Sequence, residues 1–286
     1  MGRNDLLQEL TAATGLRATA VRPLSGGCIA EVYGVTLEDG RKGVVKRAAA
    51  GMGTLDIEGE MLSYLRAHSP LPVPTVWHAT PDLLLMEWLP GASSFSDAAE
   101  AHAAELLAAL HGVTAPAFGF ERDTLIGPLR QPNPWTDSWV TFFAERRLLH
   151  MGEEALRAGR LPRETWRRLI ALSKRLDDFL APPAAPALLH GDVWTTNVLA
   201  QAGRVTAFLD PAIYYGHPEI ELAFTTLFNT FGEGFYRRYH ELRPIVPGFF
   251  EQRRDLYNLY PLLVHVRLFG GGYLVPIERT LTTFGF

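Results

Sequence analysis

LLHGDVWTTNVL, residues Leu188–Leu199, is the stretch on which the reading of this chain turns. An apolar run delivers His190, Gly191 and Asp192 to a polar turn, and after Asn197 the chain returns to apolar residues. Asp192 and Asn197 lie five residues apart, and Asp210 follows thirteen residues after Asn197, at the end of TAFLD. A carboxylate at 192 can accept or orient the proton of an attacking hydroxyl. The side-chain oxygens of Asn197 and Asp210 are hard donors of the kind magnesium takes, and a metal held there would bridge phosphate oxygens. His190 reads as a brace for the loop. A polar loop with capping Asp and Asn would explain the segment alone, so the reading depends on what stands upstream.

An HxDxxxxN segment followed by a strand ending in Asp is the phosphotransfer arrangement of the kinase fold. Its partners occur in order. Lys46 ends the apolar run GVVK, and an amphipathic helix over Thr54–Arg66 carries Glu58 ahead of Leu62 and Leu65. A strand lysine holds nucleotide phosphates and pairs with a helix glutamate in that arrangement. Asp56 and Glu60 compete with Glu58, which is preferred for its spacing to Leu62. The loop LSGGCIAEV, Leu24–Val32, lies about twenty residues before Lys46. Gly26 and Gly27 there permit close backbone approach to phosphates. No GK[ST] follows, so this is not a P-loop. The strand LLLMEWLP, Leu83–Pro90, runs into a hinge whose backbone at Glu87, Trp88 and Leu89 would take adenine. Met86 would line that pocket, with Val32 and Val44 as its roof and Leu199 as its floor.

Secondary structure supports an α+β, bilobal protein-kinase-like fold. After a helix ending near Thr14, strands are expected at Ala20–Leu24, Ala30–Leu37 and Lys42–Arg47, then Val76–Ala79 and Leu83–Trp88, separated by turn signals such as Asp39-Gly40. Beyond Pro90-Gly91, helices are expected at Phe95–His111, Trp135–Leu156 and Pro162–Leu180, with a loop over Ala115–Pro134. Helices dominate again from Glu219. Residues 1–88 read as a nucleotide-binding lobe with a small antiparallel sheet, and 89–286 as a larger helical lobe holding the catalytic loop, metal ligands and substrate site.

Composition narrows the classes. The 286 residues carry a net charge of -4, with 47% hydrophobic and 20% charged residues, which excludes wholesale disorder and disfavours a nucleic-acid partner. Cys28 is the sole cysteine, so no intramolecular disulfide can form. No targeting segment or membrane-length apolar run is visible, and a cytoplasmic monomer or dimer without a membrane partner is expected.

Four stretches go further: PLSGGCIAEVY (Pro23–Tyr33), WTDSWVTFFAERRL (Trp135–Leu148), LLHGDVWTTNVL, and LDPAIYYGHPEIELA (Leu209–Ala223). On these, and above all on Trp194 and DPAIYYGH, the chain resembles the fructosamine kinase (ketosamine 3-kinase) family over about residues 10–280. That family is grouped with the aminoglycoside phosphotransferases in the protein-kinase-like superfamily. The resemblance implies ATP- and Mg2+-dependent phosphorylation of the sugar 3-hydroxyl of free or protein-bound ketosamines, yielding an unstable adduct and so repair of glycated amines. It implies Asp192 as catalytic base, Asn197 and Asp210 as metal ligands, and Lys46 and Glu58 as the phosphate-positioning pair. Thr195-Thr196 replaces the more usual Ser-Gly, and Glu221 stands where Asp is common, a change expected to alter the substrate pocket.

Trp194, Tyr214, Tyr215 and His217 are candidate sugar contacts, because aromatic faces and hydroxyls suit a sugar ring; each reads equally well as packing of the helical lobe. Asp137, Trp139 and Arg146 are weaker candidates. Cys28 reads either as a redox-sensitive thiol in the phosphate loop or as a small packed side chain. Two other functions stay open at this level. A kinase of the aminoglycoside or choline type would share the fold, although the former calls for a carboxylate-rich site and the C-terminal third mixes Glu with many Arg. A pseudokinase would lack catalytic residue types that are all present here.

Overall fold

A computed structural model describes residues 3–24, 30–49, 51 and 53–286 of the chain. Helix α1 (Arg3–Thr14) precedes strands β1 (Ala18–Pro23), β2 (Glu31–Leu37) and β3 (Lys42–Arg47), helix α2 (Leu55–His68), and strands β4 (Val76–Ala79) and β5 (Leu83–Glu87). The five strands form one antiparallel sheet in the order β1-β2-β3-β5-β4. Its pleat explains the site. Val45, Val35, Leu83 and Leu85 join Leu10 of α1 in a small core on one face. Alternate residues point the other way: Val32 stands opposite Lys46, Lys46 opposite Leu84, and Val44 opposite Met86. Leu84 and Met86 enter the main core, which also receives Leu62 and Leu65 of α2. The period-two alternation therefore sends Lys46 to the same side of the sheet as α2.

The chain then becomes mainly helical. Helix α3 (Asp97–Leu110) begins two residues later than the expected Phe95, because Ser96 Oγ accepts the Ala99 N–H and caps it. The expected loop over 115–134 contains a short hairpin, β6 (Thr124–Ile126) and β7 (Leu129–Gln131). Three-residue strands are too short to show alternation, and their polar ends, Thr124 and Gln131, are buried in a hydrogen-bond network. Helix α4 (Trp139–Phe142), capped by Ser138, continues through a π-helical stretch, Phe143–Leu149, into α5 (His150–Arg157). The wider turn accompanies a buried Arg147, whose guanidinium meets Asn133, the Pro132 carbonyl and the face of Tyr214. Helix α6 (Arg163–Ser173) takes Pro162 as its N-cap residue and stops before the expected Leu180, where the chain tightens into a 3-10 turn.

Strands β8 (Ala187–Leu189), β9 (Val198–Gln201), β10 (Arg204–Phe208) and β11 (Tyr214–Gly216) form two small antiparallel pairs, β8 with β11 and β9 with β10. β11 was not among the expected strands, and its three residues are too few to show alternation. The C-terminal part consists of α7 (Pro218–Leu227), α8 (Glu233–Leu242), α9 (Arg254–Phe269) and α10 (Leu274–Thr283). Among the described residues, no helix is long and apolar enough to cross a membrane.

Candidate active site

The β8 strand delivers His190, Gly191 and Asp192 to a turn that only one residue type fits. Gly191 has φ +84°, and a Cβ there would lie 2.1 Å from the Ala212 carbonyl oxygen. The approach is this close because Ala212 donates its N–H to the His190 carbonyl at 2.7 Å. The 190–192 turn and the 210–212 segment are thus clasped together. Gln131 of the unexpected hairpin donates to Ala212 O at 3.0 Å, and Thr124 to Ile213 O at 3.1 Å, so β6–β7 props that segment from behind.

Asn197 donates its side-chain N–H groups to Asp192 Oδ2 at 2.7 Å and to Asp192 O at 3.0 Å. Buried His190 accepts the Asp192 N–H on Nδ1 at 3.3 Å. Across the cleft, Lys46 donates to Glu58 Oε1 at 2.7 Å and to Asp210 Oδ1 at 2.5 Å. Of the competing acids on α2, Glu58 alone pairs with Lys46, whereas Glu60 is ion-paired to Arg122. Asp210 adopts the left-handed φ of +52°, uncommon for a non-glycine residue, just after β10.

Burial and charge set the protonation of this cluster. Burial works against the Lys46 ammonium, but Asp210 and Glu58 outweigh it and hold Lys46 charged. Burial pushes Glu58 up, with Lys46 pulling the other way. Asp192 is pushed up to about 8, first by burial and then by the Asp210 carboxylate, with the Asn197 amide opposing. A carboxyl so placed is poised to exchange a proton near neutral pH.

The contacts behind the turn had no motif to announce them. Glu221 is buried on α7, where its carboxylate accepts the Gly191 N–H at 2.6 Å, the His190 N–H at 3.3 Å and a 2.9 Å hydrogen bond with His111 Nε2. His111 Nδ1 in turn meets Tyr239 Oη at 2.6 Å. Glu221 was visible in the sequence only as a departure expected to alter the substrate pocket. It borders the pocket beside Asp192, and its oxygens hold the 190–192 turn. His111, some eighty residues from that turn, belongs to no motif and gave no signal.

The predicted hinge follows β5. Trp88 donates its N–H to Lys42 O at 3.0 Å, and Glu87 donates to Thr75 O at 2.9 Å. The Glu87 carboxylate accepts from Thr75 Oγ1, and the Trp88 ring lies under the Arg22 guanidinium. Past the hinge, Gly91, at φ +140°, lets the chain run against β9, where Ala92 and Ala200 exchange N–H···O bonds of 3.0 and 2.9 Å. This sets Leu199 next to the hinge segment. Gly26, Gly27 and Cys28 lie outside the described residues.

The four aromatic candidates separate. Trp194 lies at the start of an aromatic wall: its ring is 5.4 Å from Phe228, which is 5.0 Å from His265, itself 4.8 Å from Tyr273. Tyr214 lines the pocket beside Asp192 together with Phe224, Tyr260 and His265, but is itself buried. Tyr215 and His217 are committed elsewhere. Tyr215 Oη is 2.9 Å from Tyr64 Oη on α2. His217 caps α7 by accepting the Glu219 N–H on Nδ1, and packs against Trp139 and Tyr257. Trp139, a weaker candidate, is fully buried and donates to Tyr257.

The family model for fructosamine kinase matches residues 3–284. A Synechocystis protein named as a probable ketoamine kinase is 37% identical, the match covering 96% of this chain and 94% of the relative. An Arabidopsis thaliana protein named chloroplastic protein-ribulosamine 3-kinase is 30% identical over 92% of this chain and 82% of its own length. Among solved structures, a Thermobifida fusca protein assigned as a fructosamine-3-kinase superposes with a TM-score of 0.88 at 32% identity, covering 98% of both chains. An aminoglycoside phosphotransferase solved with ADP and hygromycin B gives 0.70 at 15% identity over 99% of both chains, a likeness of fold alone.

Proposed function

Because this chain belongs to the fructosamine kinase family, a family of phosphotransferases with an alcohol acceptor, we propose that it uses ATP to phosphorylate the sugar 3-hydroxyl of ketosamines through the cleft around Asp192 and Lys46. The observation that carries this reading is the convergence in one cleft of Lys46, paired with both Glu58 and Asp210, and of Asp192, fixed by Asn197. The first group is built to hold nucleotide phosphates and the second to orient a hydroxyl.

In this reading residues 1–88 form the nucleotide lobe. Adenine lies against the backbone of Glu87–Leu89, with Val32, Val44, Met86 and Leu199 around it. Lys46 offsets charge on the phosphates, and Glu58 keeps its ammonium in place. Asp192 accepts a hydrogen bond from the 3-hydroxyl and takes its proton as the oxygen–phosphorus bond forms and the bond to the departing ADP oxygen breaks. The raised proton affinity of Asp192 suits that exchange.

The donor set fits a magnesium ion carried by the nucleotide. Asn197 spends its N–H groups on Asp192, which leaves its carbonyl oxygen as a donor, and Asp210 has one carboxylate oxygen beyond the one bonded to Lys46. One carboxylate and one amide oxygen, completed by phosphates and water, is the usual protein share of such a site. Bound there, the ion would stabilise charge on the phosphate oxygens.

The ketosamine's amine-bearing side would lie along the Trp194 wall. Aromatic faces attract a protonated secondary amine and tolerate varied substituents. Relatives named protein-ribulosamine 3-kinases make a protein-bound ribulosamine a natural acceptor to try. The test is a panel of ribulosamines and fructosamines, free and on protein, set against an aminoglycoside and choline, with ATP and product identified by mass. We expect a phosphorylated ketosamine. Turnover confined to the antibiotic or choline would overturn the assignment.

A further inference from the structure

Tyr215, expected at the sugar, sits where it can do something else. On β11 it pairs with Leu188 of β8, four residues before Asp192, and its neighbour Tyr214 pairs with Leu189. Its backbone is held on the opposite edge too. Tyr215 donates its N–H to Gly119 O at 2.8 Å and accepts the Gly119 N–H at 2.9 Å. The Tyr215 main chain is therefore fixed from both sides, as part of the frame that carries the catalytic turn. Its side chain is 6% exposed, and Oη reaches Tyr64 Oη at 2.9 Å.

Tyr64 lies on α2, six residues after Glu58. Residues 58, 62 and 65 define the helix face turned to Lys46 and the core, while 57, 60, 61, 64 and 68 form the adjacent stripe. That stripe also meets the chain beyond residue 88. Tyr64 meets Phe120 edge-on at 4.8 Å, and Glu60 bonds Arg122 at 2.6 Å. The Glu60–Arg122 pair is about half exposed on both sides and so is weak and readily exchanged with water. The Tyr64–Tyr215 bond is part-buried and joins two uncharged hydroxyls.

We infer that the Tyr64–Tyr215 hydrogen bond is a positioning contact that couples the two halves of the active site. At one end it sets how α2 presents Glu58 to Lys46. At the other it rests on β11, which is in register with the strand that delivers Asp192. Both tyrosines act through other groups and neither touches the reacting atoms. The inference rests on the phosphotransferase reading of the cleft, but half of its test does not.

The test uses Tyr64→Phe, Tyr215→Phe and the double variant, each of which keeps its rings and loses only hydroxyl oxygens. Steady-state kinetics with ATP and a ketosamine should show each single variant losing about three- to tenfold in kcat/KM, the worth of one hydrogen bond. The double variant should lose no more than either single one, because both remove the same bond. Full wild-type kinetics in all three, even with a lowered melting temperature, would leave the bond a purely structural one and overturn the inference. So would multiplicative losses. Amide hydrogen exchange supplies the readout that needs no turnover. Tyr64→Phe should speed exchange within 188–192, and Tyr215→Phe should speed it within α2. Exchange confined to the mutated element would also overturn the coupling. Altered exchange across the bond in a protein that phosphorylates no ketosamine would retain the coupling and reject the substrate.

Discussion

Replacing Glu221 by Gln tests the support of the catalytic turn more sharply than removing a catalytic group. The carboxylate accepts from three donors, the Gly191 and His190 N–H groups and His111 Nε2, and it is buried. Gln keeps the shape but turns one acceptor oxygen into a donor NH2. Whichever way the amide points, it sets a donor against a donor. A hydrogen bond to a charged group is worth about 1.5–3 kcal/mol, and a buried donor left unpaired costs about 1–3 kcal/mol. The two are not additive, and about 3 kcal/mol is the expected loss. At about 2–4 °C per kcal/mol for a chain of this size, the melting temperature should fall by about 6–12 °C. The pH dependence gives a second handle. Burial pushes Glu221 up, but the hydrogen bond and charge of His111 outweigh it, so Glu221 lies below its ordinary value in the folded chain. Its contribution is therefore full above the ordinary carboxylate range and lost as pH falls through the lowered folded value. The gap between wild type and Glu221→Gln should be widest near neutrality and close in acid. Thermal unfolding between pH 3 and 8, with kcat at pH 7.5, measures all of this. Equal melting temperatures and equal kcat at neutral pH would refute the argument that this carboxylate holds the turn.

Asp192→Asn should lower kcat by about 10²- to 10⁴-fold while leaving ATP affinity, measured by calorimetry, near wild type; an unchanged rate would remove Asp192 from its proposed role. Gly191→Ala should give a misplaced turn, because the new Cβ would sit 2.1 Å from Ala212 O in a backbone conformation that already costs alanine about 1–2 kcal/mol; wild-type kcat and melting temperature in the variant would contradict the clasp. Burial, then the charges of Arg253 and His111, push His217 down to about 3, so the unfolded chain binds this proton first and stability rises with pH from about 3 to 6.5. His217→Asn keeps a capping acceptor without the titration, and its unfolding free energy should flatten by up to about 1.4 kcal/mol per pH unit in that window; parallel curves would contradict it.

What was legible in the sequence shares a physical cause. Sheet residues with a period of two, Val44 and Lys46 against Val45, show which side they face without any knowledge of the partner. Asp192 and Asn197 are five residues apart and meet through a local turn, so their spacing carries their geometry. The Lys46–Glu58 pairing is fixed by a short strand-to-helix connection, and helix periodicity was enough to prefer Glu58 over Glu60. Long-range polar contacts were not legible. The β6–β7 hairpin exists because Gln131 and Thr124 find carbonyl partners about eighty residues away. Tyr214 and Tyr215 look like neighbouring sugar-binding aromatics, yet strand alternation sends Tyr214 over Arg147 and Tyr215 to Tyr64. Consecutive residues of a strand face opposite sides, so both rings could not have met one sugar.

The charge balance of the cleft accords with the proposed phosphate site better than with stability alone. Glu58 and Asp210 share one ammonium, Lys46, with the carboxyl of Asp192 within reach of its charge, and Glu221 adds a fourth carboxylate behind the turn. Carboxylates so close destabilise one another, which is why Asp210 contributes to the raised proton affinity of Asp192. A cleft selected only to hold the fold together would replace such a cluster with apolar side chains, since buried ion pairs seldom repay their desolvation. Lys46 is shared between Glu58, which is well shielded, and Asp210, whose side chain is 49% exposed. On the proposed reading, phosphates entering the cleft would compete for Lys46 first at its exposed bond to Asp210 and leave the shielded bond to Glu58 in place.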